Sequence, residues 1–142
     1  MSEEPNVITL ATLPEATAQE VFNQVALHLL RQGEKSETMA GGCRYRARLR
    51  DRTLRCAAGC LISDDGYDPE MEGIDWGALV AAHKVPTAHF ALISALQKLH
   101  DDTEVATWAT NLALLADRAR LQIPPCVVSM LKLQGAFHEP KI

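Results

Sequence analysis

No stretch of this sequence stays apolar for the ~18 residues that a bilayer-crossing helix needs, so no membrane span is expected. Positive charge is not in excess either. Fourteen Lys and Arg stand against eighteen Asp and Glu, a net charge of −4. That balance is mild and of the wrong sign for general nucleic-acid binding. The opening "MSEEPNVITLATLP" is acidic and has no basic segment before its apolar run, so a secretory signal is not expected. Cysteine is scarce, at four residues in 142. A chain of this length buries a core without covalent staples, so the thiols read as free and the compartment as cytoplasm. No period of 20 to 50 residues recurs, which excludes a repeat architecture.

What is present is concentrated locally. Thr12 and Glu15 form a T-x-x-E capping box, with Pro14 in the first turn. The helix that follows through Gln32 carries Ala18, Phe22, Val25 and Leu29 on one stripe and ends at Gly33. Residues 34–42, "EKSETMAGG", read as a loop. Arg44, Arg46, Arg48 and Arg50 then alternate with Tyr45, Ala47 and Leu49, the period of a strand with one wet face. "LRDR" can turn the chain and "TLRC" can return it, predicting a hairpin over 43–56. Two strands are marginal alone, so helices must cover the apolar side.

Beyond the hairpin, "AAGCLI" reads as a short helix or turn, and "SDDGYDPEMEG" as an acidic loop anchored by Tyr67 and Met71. "IDWGALVAAHK" suggests a short helix. "TAHFALISALQKLH" suggests an amphipathic helix burying Phe90, Ile93, Leu96 and Leu99. Asp101 and Glu104 repeat the capping-box spacing before a helix through Gln122, and Pro124 and Pro125 open a last helix ended by Gly135. The expected fold is mainly α (α+β): one compact helical domain over 1–142 with a small inserted β-hairpin. An N-terminal arm over 1–11 and a loose tail over 136–142 flank it.

The segment "CRYRARLRDRTLRCAAGC" holds six arginines and three cysteines. Like charges crowded on one strand face are costly unless anions lie near them. One source is internal, because Asp64, Asp65, Asp68, Glu70, Glu72 and Asp75 follow directly. The other is a ligand. Guanidinium forks suit phosphate and carboxylate better than lysine does, and all six cations are arginine. The acidic loop itself lacks the alternation of a calcium loop.

The cysteines allow two further chemistries. Cys43, Cys56 and Cys60, spaced C-x₁₂-C-x₃-C, could bind zinc with His28, His100 or Cys126 as the fourth ligand. Alternatively Cys56, beside Arg55 where a strand gives way to a helix, could be a nucleophile. His100 or His28 would then act as base and Asp101 or Asp102 as orienting carboxylate. No later strand is expected to carry that histidine, unlike papain-type enzymes. Buried thiols as simple core groups, and core-edge histidines with one satisfied hydrogen bond, are the plainer alternative.

The strings "HLLRQGEKS", "CRYR", "CAAGCLISDDGYDPEMEG" and "LISALQKLHDD", spread over residues 20–102, resemble a family of small uncharacterised proteins of phages, prophages and bacteria. The shared pattern is H-L-L-x-Q, C-x-Y-R, C-A-x-G-C-L-I-P-D, Y, M-E-G and L-Q-x-x-H-D. Ser63 stands here in place of the usual proline, and the hairpin is unusually rich in arginine. The resemblance carries no known activity. Among the positions it matches are the polar residues His28, Gln32, Arg46, Glu72, Gln97, His100 and Asp101, which could line one pocket or form a buried network tying the hairpin to two helices. A phage-type origin implies a counter-defence role.

The leading expectation is a cytoplasmic, non-enzymatic binding protein without cofactors. It would engage an anionic, nucleotide-type ligand or an acidic host protein through Arg44, Arg46, Arg48, Tyr45, His28 and Glu72. The alternatives are a hydrolase using Cys56, His100 and Asp101, and a zinc-stabilised module using Cys43, Cys56 and Cys60. A helical domain with apolar surface left over often dimerises, so a homodimer lies within expectation.

Overall fold

The T-x-x-E signature occurs twice near the N-terminus, and the chain uses the second. A computed structural model of the protein describes residues 7–38 and 42–135. In it Thr17 Oγ1 accepts the Glu20 N–H at 3.1 Å, and Glu20 Oε1 accepts the Thr17 N–H at 2.8 Å. This reciprocal box opens helix α1, Ala18–Gln32. The box expected at Thr12 and Glu15 does not form. Thr12 caps nothing, and Pro14 sits in a single 3-10 turn, Leu13–Glu15. Two consecutive signatures compete for one helix start, and the one nearer the apolar stripe wins. Gly33 closes α1 in the left-handed conformation, its N–H bonded to the Leu29 carbonyl.

The hairpin forms as β1, Arg46–Arg48, and β2, Thr53–Arg55, antiparallel, pairing Arg46 with Arg55, Ala47 with Leu54 and Arg48 with Thr53. The turn is closed by the Leu49 N–H on the Arg52 carbonyl. Ala47 and Leu54 face the core while Arg46, Arg48, Thr53 and Arg55 face out, as a period of two requires. Glu37 bridges Cys43, which lays a short third segment beside the base of β1.

A 3-10 turn at Gly59–Leu61 follows β2. Gly59 lies so close to the Tyr45 carbonyl that a β-carbon there has no room. The acidic stretch contains two further 3-10 turns, Asp64–Gly66 and Pro69–Met71, and Met71 is buried. Helix α2, Trp76–Ala81, is capped by Asp75, whose carboxylate accepts the Ala78 N–H.

Helix α3, Phe90–Asp102, buries Ile93, Leu96 and Leu99 as expected, and His100 with them. Phe90 departs from that expectation. It is 43% exposed, and its ring lies over Gly77 of α2. As the first residue of the helix, after His89 in the left-handed conformation, it falls short of the core. Asp101 and Glu104 form no capping box, because Asp101 is still inside α3. After a 3-10 turn, Val105–Thr107, helix α4 runs Trp108–Arg118, shorter than expected. Helix α5 runs Pro125–Leu133.

Helix α1 packs against α3, α4 and α5, and α4 against α3 and α5. Val21, Phe22, Leu29, Leu96, Trp108 and Leu112 are fully buried in one contiguous core. The fold is mainly α with a single two-stranded hairpin among the described residues. No helix among them is long and apolar enough to cross a membrane. Of the expected arm, residues 7–11 are described, and Ile8 is held by Gln24 through paired hydrogen bonds of 2.7 and 2.9 Å. The remaining arm residues and the tail over 136–142 lie outside the described residues.

Candidate anion-binding site

The arginines divide by what they touch. Arg44 donates its Nε to the Arg46 carbonyl at 2.9 Å and brings Nη2 to 3.8 Å from Glu72. Arg52 pairs with Glu34 and Asp51. Arg46 Nη2 meets Asp64 Oδ1 at 2.7 Å, and Arg55 Nη2 meets the same oxygen at 3.5 Å. Arg48 and Arg50 have no carboxylate within ion-pair distance among the described residues. The downstream acids are therefore only partly a counter-charge. Asp64 and Glu72 serve arginines, while Asp68 and Asp75 cap turns and helices.

Glu72 is a structural anchor. Its carboxylate is 12% exposed and accepts the backbone N–H of Tyr45 at 2.8 Å, that of Arg46 at 3.0 Å, and the Tyr67 hydroxyl at 2.7 Å. It thereby stitches the acidic loop to the outer edge of β1. The Tyr45 hydroxyl is buried and donates to the Ile74 carbonyl, and burial pushes its pKa up. Tyr45 and Glu72 thus face inward, with their polar groups already engaged.

The edge of β2 is closed from α1. Gln32 acts like a peptide group of a neighbouring strand, accepting the Arg55 N–H and donating to the Arg55 carbonyl, each at 2.8 Å. His28 Nε2 lies 2.8 Å from the same carbonyl, so the proton sits on Nε2. Burial lowers the pKa of His28, against the opposing pull of that carbonyl.

Beside this edge lies a groove of about 1050 Å³, bounded by α1, the arm, β2 and the turn at Ile62–Asp64. Its cations are Arg31, Arg52 and Arg55, and its apolar walls include Ile8, Leu27 and Leu54. Arg31 lies among those cations with no carboxylate partner among the described residues. The sequence did not mark it. Arg55 stands out in the sequence chiefly for its place beside Cys56, although a Leu49–Arg52 turn already sets it opposite Arg46.

Apart from Cys60, which lines the groove, the sulfur chemistry sits elsewhere. Cys43, His100 and Asp101 bring ligand-type atoms within 4.8 Å of one another. The neighbouring Cys56 thiol, burial and the Asp101 charge push the Cys43 thiol well above the usual range. Cys60 is not in this group. It donates to the Ala57 carbonyl, and burial pushes it up to about 12. Cys126 lies on α5. The trio Cys43, Cys56 and Cys60 is therefore not assembled around one point, and the grouping that does form keeps Cys43 and has His100 and Asp101 in place of Cys56 and Cys60.

Hydrogen-bond donors already occupy that grouping. His100 Nε2 accepts the Ser36 N–H at 3.1 Å, which leaves its proton on Nδ1, 2.7 Å from Asp101 Oδ1. Gln97 donates to Cys43 Sγ at 3.0 Å and to Asp101 Oδ1 at 2.8 Å. A metal would have to displace a ring proton while the other ring nitrogen faces an N–H. The arrangement suits a buried network better than a cage. It also keeps His100 from serving Cys56, which is fully buried with its Sγ accepting the Gly59 N–H. Neither ring nitrogen of His100 is available as a base.

Comparison with family models, curated proteins and solved structures finds no match to this chain.

Proposed function

We propose that the chain is a non-catalytic binding protein for a small anionic ligand, seated on the wet face of the hairpin and in the adjoining groove. One observation carries this reading. Arg46, Arg48 and Arg55 share that face, and the only carboxylate among the described residues in ion-pair contact with them is Asp64. Unbalanced guanidinium charge on a rigid strand pair is an anion receptor. The concavity of the groove and its apolar walls, with three arginines set against Glu34 and Asp64, favour a small molecule over an acidic protein surface. Tyr45 and Glu72 brace the hairpin with their polar groups engaged, Arg44 bonds the Arg46 carbonyl, and His28 lines the groove while holding the Arg55 carbonyl. The likeness of the motif strings to phage and prophage proteins supports a counter-defence role. A cytoplasmic protein of this kind would withhold a nucleotide-type signal by binding it.

Thermal-shift and calorimetric titration at low salt with nucleotides, including cyclic dinucleotides and cyclic ADP-ribose, tests the reading. Binding is expected to weaken as salt rises. Arg48→Ala is expected to bind at least about tenfold more weakly, as loss of one charge-assisted hydrogen bond implies, with an unchanged melting temperature. Equal affinity in Arg48→Ala, or no binding of any member of the set, contradicts it.

A further inference from the structure

Cross-strand pairing sets Arg46 directly opposite Arg55, an arrangement that weakens a hairpin unless an anion lies between the two. The anion present is the Asp64 carboxylate, and it fills the position poorly. Its Oδ1 alone reaches both guanidinium groups, at 2.7 and 3.5 Å. The Asp64 side chain is 83% exposed, against 18% for Arg46 and 32% for Arg55. It makes no other hydrogen bond or ion pair among the described residues. Arg46 is held in place by Tyr67 and the Ile62 carbonyl, whereas the carboxylate on it is free to leave.

Arg46 offers more than Asp64 uses. Its guanidinium lies 4.4 Å over the Tyr67 ring, which fixes the plane. Nε and Nη2 form one edge of that plane, an edge that takes two oxygens of a single oxyanion side by side. Here Nη2 is shared between Asp64 Oδ1 and the Ile62 carbonyl at 3.4 Å. Nε on the same edge is buried and has no acceptor. A half-used fork, a second guanidinium at long range and an unpaired Arg48 on the same face add up to a receptor for more than one oxygen and more than one negative charge.

We infer that Asp64 is an internal stand-in for the ligand, and that the group it stands in for is a phosphate monoester. The inference rests on the anion-binding reading above and names its ligand class. With Asp64 swung aside, one phosphate oxygen meets Nη2 of Arg46, a second meets Nε, and the third is directed to Arg55. A carboxylate has only two oxygens and one charge, so it reproduces the arrangement already present without improving on it. The organic part of the ligand then extends past Asp64 into the groove beside Leu27 and Ile8, towards Arg31. Asp64 is consequently a competitor, and its removal strengthens binding.

The test titrates wild type, Asp64→Ala and Asp64→Asn with phenyl phosphate and with benzoate at low ionic strength. The asparagine variant removes the charge but keeps an oxygen for the arginines, which guards against local unfolding. Both variants are expected to bind phenyl phosphate about tenfold tighter than wild type, with little gain for benzoate. Adding Arg55→Ala to either variant is expected to cancel the gain. Equal gains for both probes overturn the phosphate assignment. No gain in either variant overturns the stand-in role, and an Arg48-dependent affinity in wild type would then leave the broader reading in place. No binding of either probe by any of the three proteins overturns both.

Discussion

Glu72 and His28 show how a single polar residue can look like a site and be a brace. Glu72 receives two backbone N–H groups and a tyrosine hydroxyl, and His28 donates to the Arg55 carbonyl. Their residue types and motif context stand out in the sequence. Their partners do not, because those partners are main-chain groups brought close only by the tertiary fold. Arg46 was legible as a cation on the wet face, whereas its bridging by Asp64 depends on where a loop 18 residues downstream returns. His28 also sets a pH dependence. Burial holds its folded-state pKa below the ordinary value of 6.5, so the unfolded chain binds the proton more readily. Its contribution is fully present above about pH 6.5 and is lost as the pH falls towards the lower folded-state value. In His28→Gln the amide can keep the donor to Arg55. Urea unfolding at pH 7.5 and pH 5.5 is expected to show a smaller acid loss of stability in that variant. An equal loss in both proteins contradicts the assignment.

At the scale of elements, hydrophobic period and turn chemistry were sufficient for most of the fold. The Phe22, Val25 and Leu29 stripe, the alternating hairpin and the paired prolines before α5 all depend on neighbours in sequence, and each element is present. Helix starts were less legible. Thr12 and Thr17 carry the same local signature, and what separates them is the packing of α1 against α3, α4 and α5. Asp101 misled for a related reason, since it is drawn to His100 and Gln97 inside α3. The two threonines give a direct comparison. Thr17→Ala is expected to cost about 1 kcal/mol by loss of the cap. Thr12→Ala is expected to change stability by less than about 0.5 kcal/mol, with both read from urea denaturation midpoints. The reverse ranking would place the helix start at Thr12.

At the scale of the molecule, the helices form a rigid support and the hairpin is the part displayed. The chain as a whole is acidic, yet its short sheet turns Arg46, Arg48 and Arg55 to the same side. Gln32 closes the edge of β2 and Glu72 that of β1. With the main-chain groups of Tyr45, Arg46 and Arg55 satisfied on these edges, the outward face is left to its side chains, and their charge is what an anion would meet. The cysteines, which invited metal and nucleophile chemistry, are packed against the core, with Cys56 fully buried in it. The arginine Nε–Hε resonances of ¹⁵N-labelled protein, followed during titration with phenyl phosphate at low salt, report on that face directly. Anion binding there shifts Arg46 and Arg55 most, together with the amides of residues 53–55 and 62–64. Shifts confined to α4 and α5, with the arginine signals unmoved at saturation, would contradict it.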